Sequence, residues 1–254
     1  MVGASATAGF TESEPLGGTA TSQFRLSRYL DAAVAVPHEP VKNLATAMFF
    51  LQPEAIGRAQ IEQALQSKPT LVVGVDFLFW FCYGDGPADE DRLKRFERGL
   101  KILEAVQCPL VIGDIPDASG ASEDILGPEQ IPSVKAMGAA NRRLKEWAAP
   151  RPNVVIVSLS AFMRTAMANE ALTIRGHTLE KGRTRTLLQS DRLHPSSRGC
   201  AVMTLAILDA FQSKQTPSRA NDIRWDPNEV YRLVFKTAER PDSAKQARGA
   251  TTRK

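Results

Sequence analysis

Short β-branched runs alternate with amphipathic segments along most of this chain, and that alternation limits the fold more than any other feature. Leu71-Val72-Val73-Gly74-Val75, Pro109-Leu110-Val111-Ile112-Gly113 and Val154-Val155-Ile156-Val157 are continuous apolar runs of strand length. Runs without polar alternation belong to strands buried on both faces. A weaker strand candidate extends from Ala33 to Val41. Between the runs, Leu93, Phe96, Leu100, Leu103 and Val106 recur at three and four residues, with Lys94, Arg95, Glu97, Arg98 and Lys101 on other faces. That is the period of an amphipathic helix. Comparable helices are predicted over about 19–30, 53–66, 132–147 and 195–212. Strand–helix alternation predicts an α/β domain, a mainly parallel sheet with helices on both faces. Residues 115–131, rich in Gly, Pro, Ser and acids, are predicted to form a long loop, and 160–190 an irregular stretch with helical pieces.

The chain has 254 residues, 43% of them hydrophobic, which suits one large domain with a substantial core. That domain is predicted over 1–212, with 213–254 as a basic, partly disordered extension. Within the extension, Trp225, Val230, Tyr231, Leu233, Val234 and Phe235 suggest one short segment that docks back. The net charge is +4, and residues 236–254 carry six basic and two acidic side chains, so the tail holds the whole excess. A neutral body argues against a nucleic-acid-binding face, which needs clustered phosphate-neutralising charge. Cys82, Cys108 and Cys200 are odd in number and lack C-x-x-C spacing, so neither a zinc site nor a disulfide framework is expected. Cys82 and Cys108 adjoin apolar runs and read as buried thiols. No apolar stretch reaches the roughly 18 residues of a membrane span, and no signal peptide is evident, which points to the cytoplasm. Only Met1 and Val2 precede Gly3-Ala4-Ser5, however, so the first strand reads as truncated. An upstream start, with export, is the alternative. Oligomeric state carries no signal in the sequence.

Ligands of open parallel sheets bind beyond the carboxyl ends of the strands. On that basis Ser5, Asn43 and Asp76 are expected on one rim. Ser5 stands where a strand hands over to a helix, and its small neighbours Gly3, Ala4 and Ala6 permit a tight turn and close approach of a carbonyl. Backbone N–H groups beyond the turn would face a developing oxyanion. Near the other end, Asp191-Arg192-Leu193-His194-Pro195 places an aspartate three residues before a histidine. An imidazole can accept a serine proton and return it to a leaving group, and a carboxylate can hold its second nitrogen in the right tautomer. If Pro195 opens the last helix, this turn points to the same rim. His38, beside two prolines, reads as a loop residue; His177 lies in a loop that could line a pocket.

Gly3-Ala4-Ser5-x-Thr7-x-Gly9, Asn43-Leu44-Ala45, Gly74-Val75-Asp76 and Asp191-x-x-His194-Pro195, in this order over about residues 1–212, resemble the SGNH/GDSL hydrolase superfamily. The resemblance implies a three-layer α/β/α flavodoxin-like sandwich and hydrolysis of small-molecule esters, with no metal and no cofactor. It makes Ser5 the nucleophile, His194 the general base, Asp191 its orienting partner and the Ser5 N–H one oxyanion donor. Three departures stand out. Gly-Ala-Ser replaces the family's Gly-Asp-Ser. The second-block glycine has Ala45 or Ala47 as its nearest match. Asp76 stands where the family has an amide donor, and an ionised carboxylate only accepts hydrogen bonds. Either Asp76 is protonated, or it has another role, or the alignment slips and Asn43 donates instead. Phe77-Leu78-Phe79-Trp80-Phe81-Cys82-Tyr83 holds five aromatics in seven residues, which fits core packing beneath a loop or an apolar acyl-binding wall. The leading expectation is a serine esterase working through an acyl-enzyme. A non-catalytic SGNH-like binding protein and an acyltransferase with the same triad are the alternatives, with a nucleic-acid binder acting through its tail a distant fourth.

Overall fold

The computed structural model describes residues 1–15, 17–86, 88–214 and 222–238. Three parallel strands pair in chain order, β1 (Val72–Gly74), β2 (Leu110–Gly113) and β3 (Val154–Val157). Their register sets Val72 beside Leu110 and Leu110 beside Val154. All three apolar runs named from the sequence are therefore strands. Successive side chains leave a strand on opposite faces. Val72, Leu110, Ile112 and Val154 enter one hydrophobic cluster, whereas Val73, Val111, Val155 and Val157 enter another. Burial on both faces explains why these runs show no polar alternation.

The first cluster is covered by helices α3 (Pro53–Gln66), α5 (Asp89–Leu103) and α6 (Val134–Ala148). In α5 the buried face holds Phe96, Leu100 and Leu103, as its period predicts. Each such side chain, fully buried, contributes about 1.5–3 kcal/mol. Asp89, Glu90 and Asp91 in the first turn and Lys101 in the last complement the helix dipole. The second cluster is covered by α2 (Leu26–Ala33), α7 (Leu159–Ala168), α8 (Ser197–Lys214) and α9 (Pro227–Ala238). Helix α9 is the docking segment foreseen in the extension, and its Val230 and Val234 are buried against α2 and α8. Residues 239–254, most of the basic tail, lie outside the described residues.

Several local expectations need correction. Residues 33–41 are not a strand: Ala33 ends α2, and Val34 makes only an isolated bridge to Ile223. The helix expected over 19–30 is broken at Arg25, whose extended ψ of 117° separates a 3-10 turn at Ala20–Phe24 from α2. The helical pieces expected in 160–190 are present, α7 stopped by left-handed Asn169 and a 3-10 turn at Thr184–Leu187, but a small antiparallel pair not expected there, β4 (Leu172–Ile174) with β5 (His177–Leu179), lies between them. Cys108 is only partly buried, unlike Cys82 and Cys200. Among the described residues no helix is long and apolar enough to cross a membrane.

Two further segments extend the hydrogen bonding of the sheet. Val2 N–H donates to Val73 O at 2.9 Å, Leu44 N–H to Met1 O at 2.8 Å and Thr46 N–H to Gly3 O at 3.2 Å. Residues 1–3 thus run between β1 and residues 44–46. This is what sets the position of the residue that follows, Ser5.

Candidate active site

Ser5 opens a four-residue helix, α1 (Ser5–Ala8). Ala4, its N-cap, has no side chain able to accept a hydrogen bond. The neighbouring strand supplies the acceptor. Asp76, two residues beyond β1, accepts from Thr7 N–H at 3.0 Å, Thr7 Oγ1 at 2.6 Å and Ala4 N–H at 3.0 Å. Gly3 makes this approach possible. Its φ is +132°, and a Cβ there would collide with Asp76 Oδ1. The Gly3 backbone is held on its other side by the Gln60 amide, which accepts from Gly3 N–H at 2.7 Å and donates to Gly3 O at 3.0 Å.

The other half of the site is a tight loop between Leu187 and Ser196, closed by Ser196 N–H to Leu187 O and Gln189 N–H to His194 O. Arg192 takes a left-handed φ of 60° in it. Asp191 Oδ1 accepts from both Leu193 N–H and His194 N–H at 2.9 Å, which shapes the turn. Its Oδ2 lies 2.7 Å from His194 Nδ1, and His194 Nε2 lies 2.7 Å from Ser5 Oγ. The three-residue spacing thus lets one carboxylate cap its own turn and hold the ring. Asp191 and His194 are buried, and Phe10 stacks on the imidazole with centroids 3.9 Å apart. Gln189 ties the two halves together by donating to Phe10 O at 2.8 Å and Pro195 O at 2.9 Å.

The two carboxyl groups are electrostatically distinct. Burial pushes Asp191 up, but the His194 ring and the two turn amides outweigh it, so its pKa lies below the usual carboxylate value. Asp76 is raised above that value by burial, with the Thr7 and Ala4 donors pulling the other way.

The expected oxyanion positions are revised. Asp76 lines the cavity beside Ser5, but its carboxylate oxygens are committed to Ala4 and Thr7. Asn43 does not reach the rim. With Leu44 bonded to Met1 and Thr46 to Gly3, Asn43 lies level with the start of the first segment, several residues short of Ser5. Its Oδ1 accepts the Ala45 N–H at 3.2 Å, so that amide is engaged as well. The Ser5 and Ala6 N–H groups remain. They are the first two of α1, without an intrahelical partner, and both residues line the cavity.

That cavity, about 60 Å³, is walled by apolar side chains, among them Phe79, Trp80, Leu159, Phe162 and Met163. The aromatic run is divided between the core and the cavity wall. Phe77, Phe81 and Tyr83 are fully buried core, whereas Phe79 and Trp80, at the edge of the same cluster, line the cavity that Ser5 also lines. Within the run Phe79–Cys82 form a helix, α4, whose first two residues, Phe79 and Trp80, line the cavity. Arg92 secures the exit from α4. Its buried guanidinium donates to the carbonyls of Cys82, Gly84, Gly86, Glu129 and Gln130. His38 pairs with Asp31 at 3.2 Å, and His177 is an exposed residue of β5; neither lines the Ser5 cavity. Among the described residues no cluster of His, Cys, Asp or Glu could hold a metal ion.

Thr7, Phe10, Gln60, Gln189 and Arg92 received no role from sequence reasoning beyond Thr7's place in the first motif. Only Thr7 carried a signal. Gln60, Gln189 and Arg92 bond backbone groups elsewhere in the chain, and Phe10 stacks on the ring of His194.

No family model, no curated protein and no solved structure matches the chain.

Proposed function

We propose that this protein is a serine ester hydrolase of the SGNH/GDSL type. The observation that carries the reading is the continuous chain Ser5 Oγ–His194 Nε2 and His194 Nδ1–Asp191, with both links at 2.7 Å. A serine so paired is activated by the adjacent base, whose other nitrogen is held by a carboxylate. His194 takes the Ser5 proton as Oγ attacks the ester carbonyl. Asp191 favours the imidazolium that forms. The oxyanion is received by the Ser5 and Ala6 N–H groups. His194 then gives the proton to the departing alkoxide, and water reverses the sequence to free the acid.

The fold supports the same reading. Counting residues 44–46 and 1–3 as strands would give the chain order 2-1-3-4-5, the order of a flavodoxin-like sheet, and hydrophobic clusters on both faces fit a three-layer sandwich. In that order the switch point lies between the segment ending at Gly3 and β1. Ser5 and Asp76 follow those two strands, where ligands of such sheets bind. The replacement of the family's Gly-Asp-Ser by Gly-Ala-Ser also gains a physical account, since Asp76 caps the helix from the neighbouring strand.

The test is a fluorophosphonate probe with peptide mapping, alongside hydrolysis of p-nitrophenyl acetate. Ser5 is expected to carry the label, and Ser5→Ala to abolish both labelling and turnover. Undiminished turnover in Ser5→Ala would refute the assignment.

A further inference from the structure

We infer that the acyl half of the substrate is short, a neutral chain of two to four carbons. This rests on the ester-hydrolase reading and goes beyond it by assigning a substrate class. The cavity that Ser5 and His194 share measures about 60 Å³. One water-sized group takes up about 10–15 Å³ by this measure, so there is room for about four to six non-hydrogen atoms. The carbonyl group must occupy part of that space beside Ser5, which leaves room within the apolar walls for a tail of a few carbons.

The walls cannot easily withdraw. Trp80, Leu159, Phe162 and Met163 are all buried. Phe79 stacks on Tyr83 with centroids 4.1 Å apart and meets Trp80 edge-on at 5.3 Å. Tyr83 is pinned in turn, its hydroxyl donating to Pro116 O at 2.8 Å and accepting from Ala118 N–H at 2.9 Å. Forcing extra methylenes into such packing drives side chains from their rotamers. The wall is also chemically selective. The one carboxylate on it, Asp76, already accepts three hydrogen bonds, so no charged group there is free to bind a polar acyl chain.

In the reaction, the Ser5 Oγ–carbonyl bond forms and the ester C–O bond breaks. The alcohol leaves with the proton held by His194, outside the apolar cavity. Water then adds to the same carbon, the Oγ bond breaks, and the short-chain acid departs as Ser5 regains its proton. No electrons are exchanged with another molecule.

The experiment measures kcat/KM of the full chain on p-nitrophenyl acetate, butyrate, octanoate and palmitate, with fluorophosphonate labelling of Ser5 in parallel. A misfit of one methylene in an apolar pocket changes kcat/KM by roughly 10–200-fold. Acetate or butyrate is therefore expected to exceed octanoate at least tenfold, with palmitate lower still. Phe162→Ala, which removes a ring from the wall, is expected to raise the octanoate-to-acetate ratio at least tenfold. Met163→Ala replaces it if that variant does not fold. Octanoate or palmitate hydrolysed as well as butyrate by the parent protein would overturn the inference. So would a labelled Ser5 with no ester cleaved. In both cases the nucleophile stands. An unlabelled Ser5 with no ester cleaved removes the hydrolase reading itself, and this inference with it.

Discussion

Replacing Asp76 with asparagine separates two accounts of that residue. If Asp76 stood in for an amide oxyanion donor, asparagine would restore the donor and raise turnover. The geometry argues the reverse. Asp76 Oδ1 accepts from Ala4 N–H and Thr7 Oγ1, and Oδ2 from Thr7 N–H. An amide has one oxygen, so either orientation turns its NH₂ group toward one of the two backbone donors. Thr7 Oγ1 can reverse its role and accept, but a backbone N–H cannot. A buried donor left unsatisfied costs about 1–3 kcal/mol, and the opposed NH₂ adds to it. Relief of the carboxylate's desolvation offsets a part. The net expectation is a loss of about 2–4 kcal/mol, which lowers Tm by roughly 4–16 °C in a domain of this size. Because the same bonds fix the turn that carries Ser5, kcat/KM should fall by about 10- to 100-fold. Differential scanning calorimetry and p-nitrophenyl acetate kinetics on Asp76→Asn read both quantities. An asparagine variant with unchanged Tm and higher kcat would refute the reasoning.

Other perturbations follow from the same contacts. Asp191→Asn should lower kcat by about 10³–10⁴-fold, because the amide no longer enforces the ring tautomer. Its effect on stability also has a definite sign. The folded pKa of Asp191 is depressed, so its contribution is present above the unfolded value of about 3.9 and is lost as pH falls through the lower folded value. Denaturant titrations between about pH 2 and 5 should therefore show a shallower acid slope in the variant than in the parent. Arg92→Lys should destabilise by about 3 kcal/mol, since an ammonium offers three donors where the guanidinium reaches five carbonyls; chemical denaturation measures it, and a loss under about 0.5 kcal/mol would contradict the role. Gln189→Ala should reduce kcat/KM about tenfold with little change in KM, because it unties Phe10 from the His194 loop without touching the cavity wall; an equal rise in KM would point to substrate contact instead.

Much of the α/β framework was legible because its signals are local. Val72–Gly74, Leu110–Gly113 and Val154–Val157 are apolar without alternation, and a strand buried on both faces has no other way to look. Helix α5 shows its buried face as a period in the sequence, and helix α3 begins at Pro53, a residue suited to the first turn. The Asp191–His194 pair was legible for the same reason, since its geometry lies within one turn. Residues 33–41 misled because apolar side chains there pack at the end of α2 as readily as in a strand. Register was not legible either. Asn43 falls short of the rim because of which amide bonds Met1 and which bonds Gly3, and nothing in Asn43-Leu44-Ala45 encodes that choice.

The sequence by itself determined the element types, the residues able to do chemistry and the turn that joins an aspartate to a histidine. Each depends on interactions within a few residues. Tertiary structure decided that His194 meets Ser5 from 189 positions away, that Asp76 is an acceptor serving a foreign helix, and that Phe79 and Trp80 face the cavity while their neighbours are core. Hydrogen-bond satisfaction is the physical reason. A buried donor or acceptor must find a partner, but the partner can come from anywhere in the chain, so only the assembled fold shows which groups are spoken for.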